Sequence, residues 1–182
     1  MKQHRFLVPL LVLGWLALAG CKSQTSPITQ APIPVPSPPG HLTVADFRYL
    51  PALATGSRIR PNQIRNTAYG NILLDQPIDK IFLMALLKEL PFVGAKLEGP
   101  DRQLGGEVEE LMIDDLGYSG DWTLRVKYVL KEKATGRVLY ESVKSTKRRA
   151  NKFASQLVAL NETIKLNVEE LVQDKALLAL IK

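Results

Sequence analysis

Cysteine and histidine are almost missing from this sequence, with one of the first and two of the second in 182 residues. The lone Cys21 excludes an internal disulfide and a multi-cysteine zinc site. Histidines at positions 4 and 41 leave nothing from which to build an imidazole-based active site, and no residue pattern calls for a metal or a cofactor. Aromatic content is only 7% and the formal charge of +6 is modest, which argues against a dedicated nucleic-acid binder. The apolar run from Phe6 to Ala19 stops at 14 residues. A stable membrane-crossing helix needs about 20, so a permanent span is the weaker reading.

Chemistry-bearing pairs are just as sparse. Glu109-Glu110 and Asp114-Asp115 are adjacent carboxylates, and neighbouring residues of a strand point to opposite faces, so neither pair is expected to converge on a substrate. Gly105-Gly106 lacks the strand, helix and lysine context of a phosphate-binding loop. No catalytic residue is assigned, and a non-enzymatic protein is expected.

What is present at the N-terminus is an export grammar. Lys2, His4 and Arg5 precede the apolar run, which ends in the small residues Leu18-Ala19-Gly20-Cys21. This box resembles the lipobox of bacterial lipoproteins. The resemblance implies cleavage between Gly20 and Cys21, lipidation of Cys21, and a mature chain held to a membrane without crossing it. Each buried CH₂ of the acyl chains contributes about 0.8 kcal/mol to that attachment. By the same resemblance, Lys22 in place of an aspartate points to the outer membrane of a Gram-negative cell, facing the periplasm. Cleavage removes Lys2 and Arg5 and no acid, so the mature charge falls from +6 to +4.

From Cys21 to His41 the composition shifts. Pro27, Pro32, Pro34, Pro36, Pro38 and Pro39 are half of the 12 prolines of the chain. Such a segment favours polyproline geometry at about 3.1 Å per residue, which makes a stiff tether of up to about 60 Å. Residues 42–182 then form one domain. Leu42 to Leu50 reads as a first strand, residues 54–70 as a loop or weak strand, and Asp75-Gln76-Pro77 as the start of a helix. That helix carries Ile81 to Leu87, apolar on nearly every side, and reads as buried. The Gln103 to Ile113 run and the clean alternation of Trp122, Leu124, Val126, Tyr128 and Leu130 are strands, and Lys133 to Gly136 turns into a return strand. Leu157, Leu160, Ile164, Val168 and Leu171 mark a C-terminal helix. The expected fold is a two-layer α+β domain, an antiparallel sheet packed by the buried helix and the C-terminal helix.

The apolar helix ahead of a Gly-Glu-Val strand, the long hairpin with its Thr-Gly turn, and the terminal helix ending Val168 to Lys175 resemble the small Gram-negative envelope lipoproteins of the YajG type and the auxiliary lipoproteins of lipid-transport ABC systems. That resemblance implies an accessory role in envelope maintenance or transport and fixes no binding residue. The polar feature that stands out is Lys144, Lys147, Arg148, Arg149 and Lys152, a candidate patch for an anionic partner between the hairpin and the last helix. A second basic group is Arg58, Arg60 and Arg65. An envelope protein complex is the expected partner, and a lipid or glycolipid sheltered by the helix and sheet is the alternative.

Overall fold

A computed structural model describes residues 41–152 and 155–181 of the chain. The expected signal, the Gly20-Cys21 junction and the expected tether up to residue 40 lie outside the described residues.

The domain is α+β, as its pattern of alternation and helical stripes requires. Strands β1 (Thr43–Tyr49), β2 (Gln63–Asn66), β3 (Ile72–Leu73), β4 (Arg102–Asp114), β5 (Ser119–Glu132) and β6 (Val138–Asn151) form one sheet. The short helix α1 (Leu50–Leu53) follows β1, α2 (Ile78–Glu89) precedes β4, and α3 (Gln156–Val172) and α4 (Lys175–Ile181) end the chain. Strands run in the order β3-β2-β4-β5-β6, with β1 also paired to β4.

The β5–β6 hairpin forms where the Thr-Gly turn places it. Gly136 takes φ of 71°, and Glu132 N–H donates to the Arg137 carbonyl at 2.9 Å to close the turn. Pairing is antiparallel from β4 through β6, but β1 and β2 join β4 in parallel. The sheet is therefore mixed where the sequence suggests a purely antiparallel one. Parallel partners are joined by long crossovers, here running through α1, β3 and α2, and such connections leave no local turn signal.

Alternation along β5 buries Trp122, Leu124, Val126, Tyr128 and Leu130 on one face, and Leu104, Val108, Leu111 and Ile113 of β4 join them. On this face α2 packs with Ile78, Phe82 and Leu86, spaced four residues apart. Phe47 of β1 stacks on Phe82 at 6.0 Å and meets Tyr128 edge-on at 5.9 Å between ring centres. Gly106 makes that arrangement possible. A Cβ there would lie 2.2 Å from the Lys127 carbonyl oxygen and 2.8 Å from the Phe47 ring. Gly105 also lies opposite an irregularity, the register shift of β1 between Val44 and Phe47, and a second shift falls in β4 itself, between Val108 and Glu110.

Candidate functional site

Helix α2 is apolar on more sides than one sheet can cover. Phe82 and Leu86 are fully buried, whereas Met84 is 62% exposed and Leu87 also reaches solvent. The expected burial of this helix therefore holds for one stripe. Helix α3 repeats the pattern, since Leu160, Ile164 and Val168 face inward while Leu157 is 60% exposed. Between the two helices, with β3 closing one side, lies a groove of about 1090 Å³. Its lining combines eleven apolar side chains, none aromatic, with a rim that includes Asp75, Lys88, Glu89 and Lys165. An apolar floor inside a mixed-charge rim is the anatomy of a contact surface. Seven apolar residues in succession from Ile81 to Leu87 were the signal for it, because a helix packed on one sheet uses only part of its circumference.

The basic segment is placed differently from the expectation. All but Lys152 of its residues lie within β6, not between the hairpin and α3, because the return strand continues to Asn151. Strand alternation then divides them. Lys144 and Arg148 turn toward the helices, where Lys144 Nζ binds Asp174 Oδ2 at 2.6 Å and Arg148 pairs with Glu162. Arg149 points to the other face and pairs with Asp121 at 3.0 Å. Lys152 donates to the carbonyls of Asp115 and Gly117 at 3.1 and 2.9 Å and sits 5.4 Å from the centre of the Tyr69 ring. Lys147 is exposed and has no ion pair among the described residues. Five cations that are close in sequence do not form one patch, and carboxylates neutralise most of them.

What Lys144 does instead is structural. Asp174 caps the start of α4, with Oδ1 accepting from Ala176 N–H at 2.9 Å while Oδ2 also accepts from Tyr140 Oη at 2.9 Å. The Lys144 hydrogen bond, followed by those of Tyr140 and Ala176, holds the Asp174 carboxyl down at about 2 against the resistance of partial burial. A carboxylate whose folded pKa is depressed adds stability above its unfolded value near 4, and loses it as pH falls toward 2. Acid titration of unfolding should therefore show wild type losing about 1 kcal/mol more than Asp174→Asn between pH 4 and pH 2, a figure reduced for solvent screening. Equal losses in both proteins would remove this role from Asp174.

Deeper in the same interface, Asn167 of α3 is fully buried. Its Oδ1 accepts from Tyr128 Oη at 2.7 Å, and its Nδ2 donates to Thr146 Oγ1 at 3.0 Å and the Lys144 carbonyl at 3.2 Å. Burial pushes the Tyr128 phenol well above its ordinary range, so it stays a neutral donor. The Thr146 hydroxyl passes the chain on to Glu170 at 2.9 Å. Polar atoms at the centre of the core are thus satisfied in series, which fixes α3 on the sheet in one register. Among the described residues no cluster of three or more His, Cys, Asp or Glu could hold a metal ion. No helix among them is long and apolar enough to cross a membrane.

No protein-family model matches the chain, and no curated protein matches it. Solved structures do. Protein XCC0632 from Xanthomonas campestris, described with the family model DUF330, superposes with a TM-score of 0.58 at 18% identity, over 80% of this chain and 91% of its own. The chain shares its fold. Lower similarity links it to a putative lipoprotein from Caulobacter crescentus (TM-score 0.41, 13% identity, 56% of this chain and 80% of the other). A minor lipoprotein from Acinetobacter baumannii is comparable (TM-score 0.40, 9% identity, 75% and 89%).

Proposed function

We propose that this chain is a non-enzymatic lipoprotein, cleaved after Gly20 and lipidated at Cys21, that faces the periplasm from the outer membrane and serves as a binding or assembly accessory of an envelope protein complex. The groove between α2 and α3 carries this reading. Its exposed Met84, Leu87 and Leu157 surround an apolar floor, and its rim bears both signs of charge. A protein segment that presents an apolar ridge with flanking charges fits such a surface, since the core of a contact is desolvated and its edge stays wet. The lipobox supplies the address and the proline-rich segment supplies the reach.

The test is a photo-crosslinking side chain placed at Met84 or Leu157 in intact cells. Both positions should give the same discrete protein adduct, and Leu87→Asp should reduce its yield by about tenfold or more, because a charge in the contact must be desolvated. Adducts that differ between the two positions, or that ignore the charge, would count against the groove.

One observation favours a second reading, a carrier that shelters the acyl chain of a lipid or glycolipid. None of the eleven apolar residues of the lining is aromatic, and ten are aliphatic, as suits a hydrocarbon chain. Native mass spectrometry of the chain released from membranes would then show a lipid bound beyond the covalent anchor, and Leu160→Trp would displace it.

A further inference from the structure

On the sheet face turned away from α2 and α3, a cleft of about 580 Å³ lies between β4, β5 and the chain that follows α1. Its polar wall exists because of the β-bulge. Val108 pairs with Val126 and Glu110 pairs with Arg125, so Glu109 is the extra residue. With Val108 and Leu111 both buried in the core, Glu109 and Glu110 both turn outward. The adjacent carboxylates that regular alternation would send to opposite faces therefore line the same cleft.

The two carboxylates are not equivalent. Arg125 Nε binds Glu109 Oε2 at 2.6 Å and neutralises it. Glu110 has no hydrogen bond or ion pair from its side chain among the described residues, and neither does Arg65 of the neighbouring strand β2. Arg65 of β2 pairs in register with Met112, two residues beyond Glu110 on β4, so Arg65 and Glu110 are diagonal neighbours on adjacent strands. Two arginines and two glutamates give the cleft no net charge. What remains free is one anion and one cation a short distance apart.

We propose that this cleft binds a small zwitterionic group, an ammonium joined to an oxyanion, with Glu110 accepting from the ammonium and Arg65 clamping the oxyanion. A ligand of single charge would gain one contact and meet the opposite charge beside it. A neutral ligand with separated charges satisfies both. Arginine presents a planar fork that suits phosphate or carboxylate oxygens. The volume lies within the range of small-ligand sites, about 300–1000 Å³, and leaves room beyond the charged pair. A phosphoethanolamine headgroup and a free amino acid both carry this chemistry.

Isothermal titration of the full chain in non-ionic detergent tests the site with four probes: glycerophosphoethanolamine, alanine, inorganic phosphate and ethylamine. At least one of the first two should bind about tenfold or more tightly than phosphate or ethylamine. Glu110→Gln and Arg65→Gln should each weaken it about tenfold, while Lys147→Gln, outside the cleft, should not. Preference for glycerophosphoethanolamine identifies a lipid headgroup, and preference for alanine an amino acid. No binding of either zwitterion, equal binding of the single-charge probes, or indifference to both substitutions would overturn the proposal. Met84→Asp should leave the titration unchanged, so this cleft and the α2–α3 groove succeed or fail separately.

Discussion

Gly106→Ala is expected to lower stability by about 3 kcal/mol or more. The added carbon would stand 2.2 Å from the Lys127 carbonyl oxygen, a backbone atom of the neighbouring strand that cannot step aside without opening the β4–β5 ladder. It would also press on the Phe47 ring at 2.8 Å, and Phe47 in turn holds Phe82 of α2 and Tyr128 of β5. Gly105→Ala provides the internal comparison. There the nearest atom is the Ala45 Cβ at 3.1 Å, a contact relieved by a few tenths of an ångström. Chemical denaturation should separate the two variants by at least about 2 kcal/mol. Equal midpoints would mean that the Lys127 carbonyl of β5 and the Phe47 ring do not approach Gly106 as closely as described.

The second large effect falls on the buried amide. Asn167→Leu keeps the branched shape and removes both halves of the network, which leaves the Tyr128 hydroxyl fully buried without its acceptor at 2.7 Å. An orphaned buried donor costs about 1–3 kcal/mol, and loss of the bonds to Thr146 and the Lys144 carbonyl adds to it, so a total near 3 kcal/mol is expected. Tyr128→Phe in the Asn167→Leu background should restore about 1 kcal/mol or more, because the stranded hydroxyl is then gone. A double variant no more stable than the single one would show that the pair is not coupled.

These two sites mark the line between what is legible in the sequence and what is not. Trp122 to Leu130 alternates with period two, and the Thr-Gly turn stands where the hairpin closes, so β5 and β6 are readable from local pattern. Leu160, Ile164 and Val168 recur at helical spacing and give α3 its inner face. Asn167 lies on the buried side of the same helix, and nothing local shows that a tyrosine 39 residues earlier will take its amide. The parallel seats of β1 and β2 beside β4 also depend on crossovers, for which no turn motif stands in the chain. The basic segment misleads for a related reason. Once β6 extends through Asn151, period two scatters its cations over two faces, and their carboxylate partners come from β5, α3 and the cap of α4. A bulge shifts faces by one residue, and only the register of β4 against β5 reveals that Glu109 and Glu110 turn the same way. The lipidation proposed at Cys21 is the opposite case, since it rests on a local pattern alone.

Anchorage and the groove meet in one measurement. Crosslink yield from a photoreactive residue at Met84 should be compared in cells that carry either Cys21 or Cys21→Ser, with both chains exported and present in equal amount. If the lipid anchor presents the α2–α3 groove to its partner, the discrete adduct seen with Cys21 falls about tenfold or more with Cys21→Ser, since tethering raises the effective concentration of the two surfaces. An adduct of equal yield from the unanchored chain, or none from either, would contradict the account.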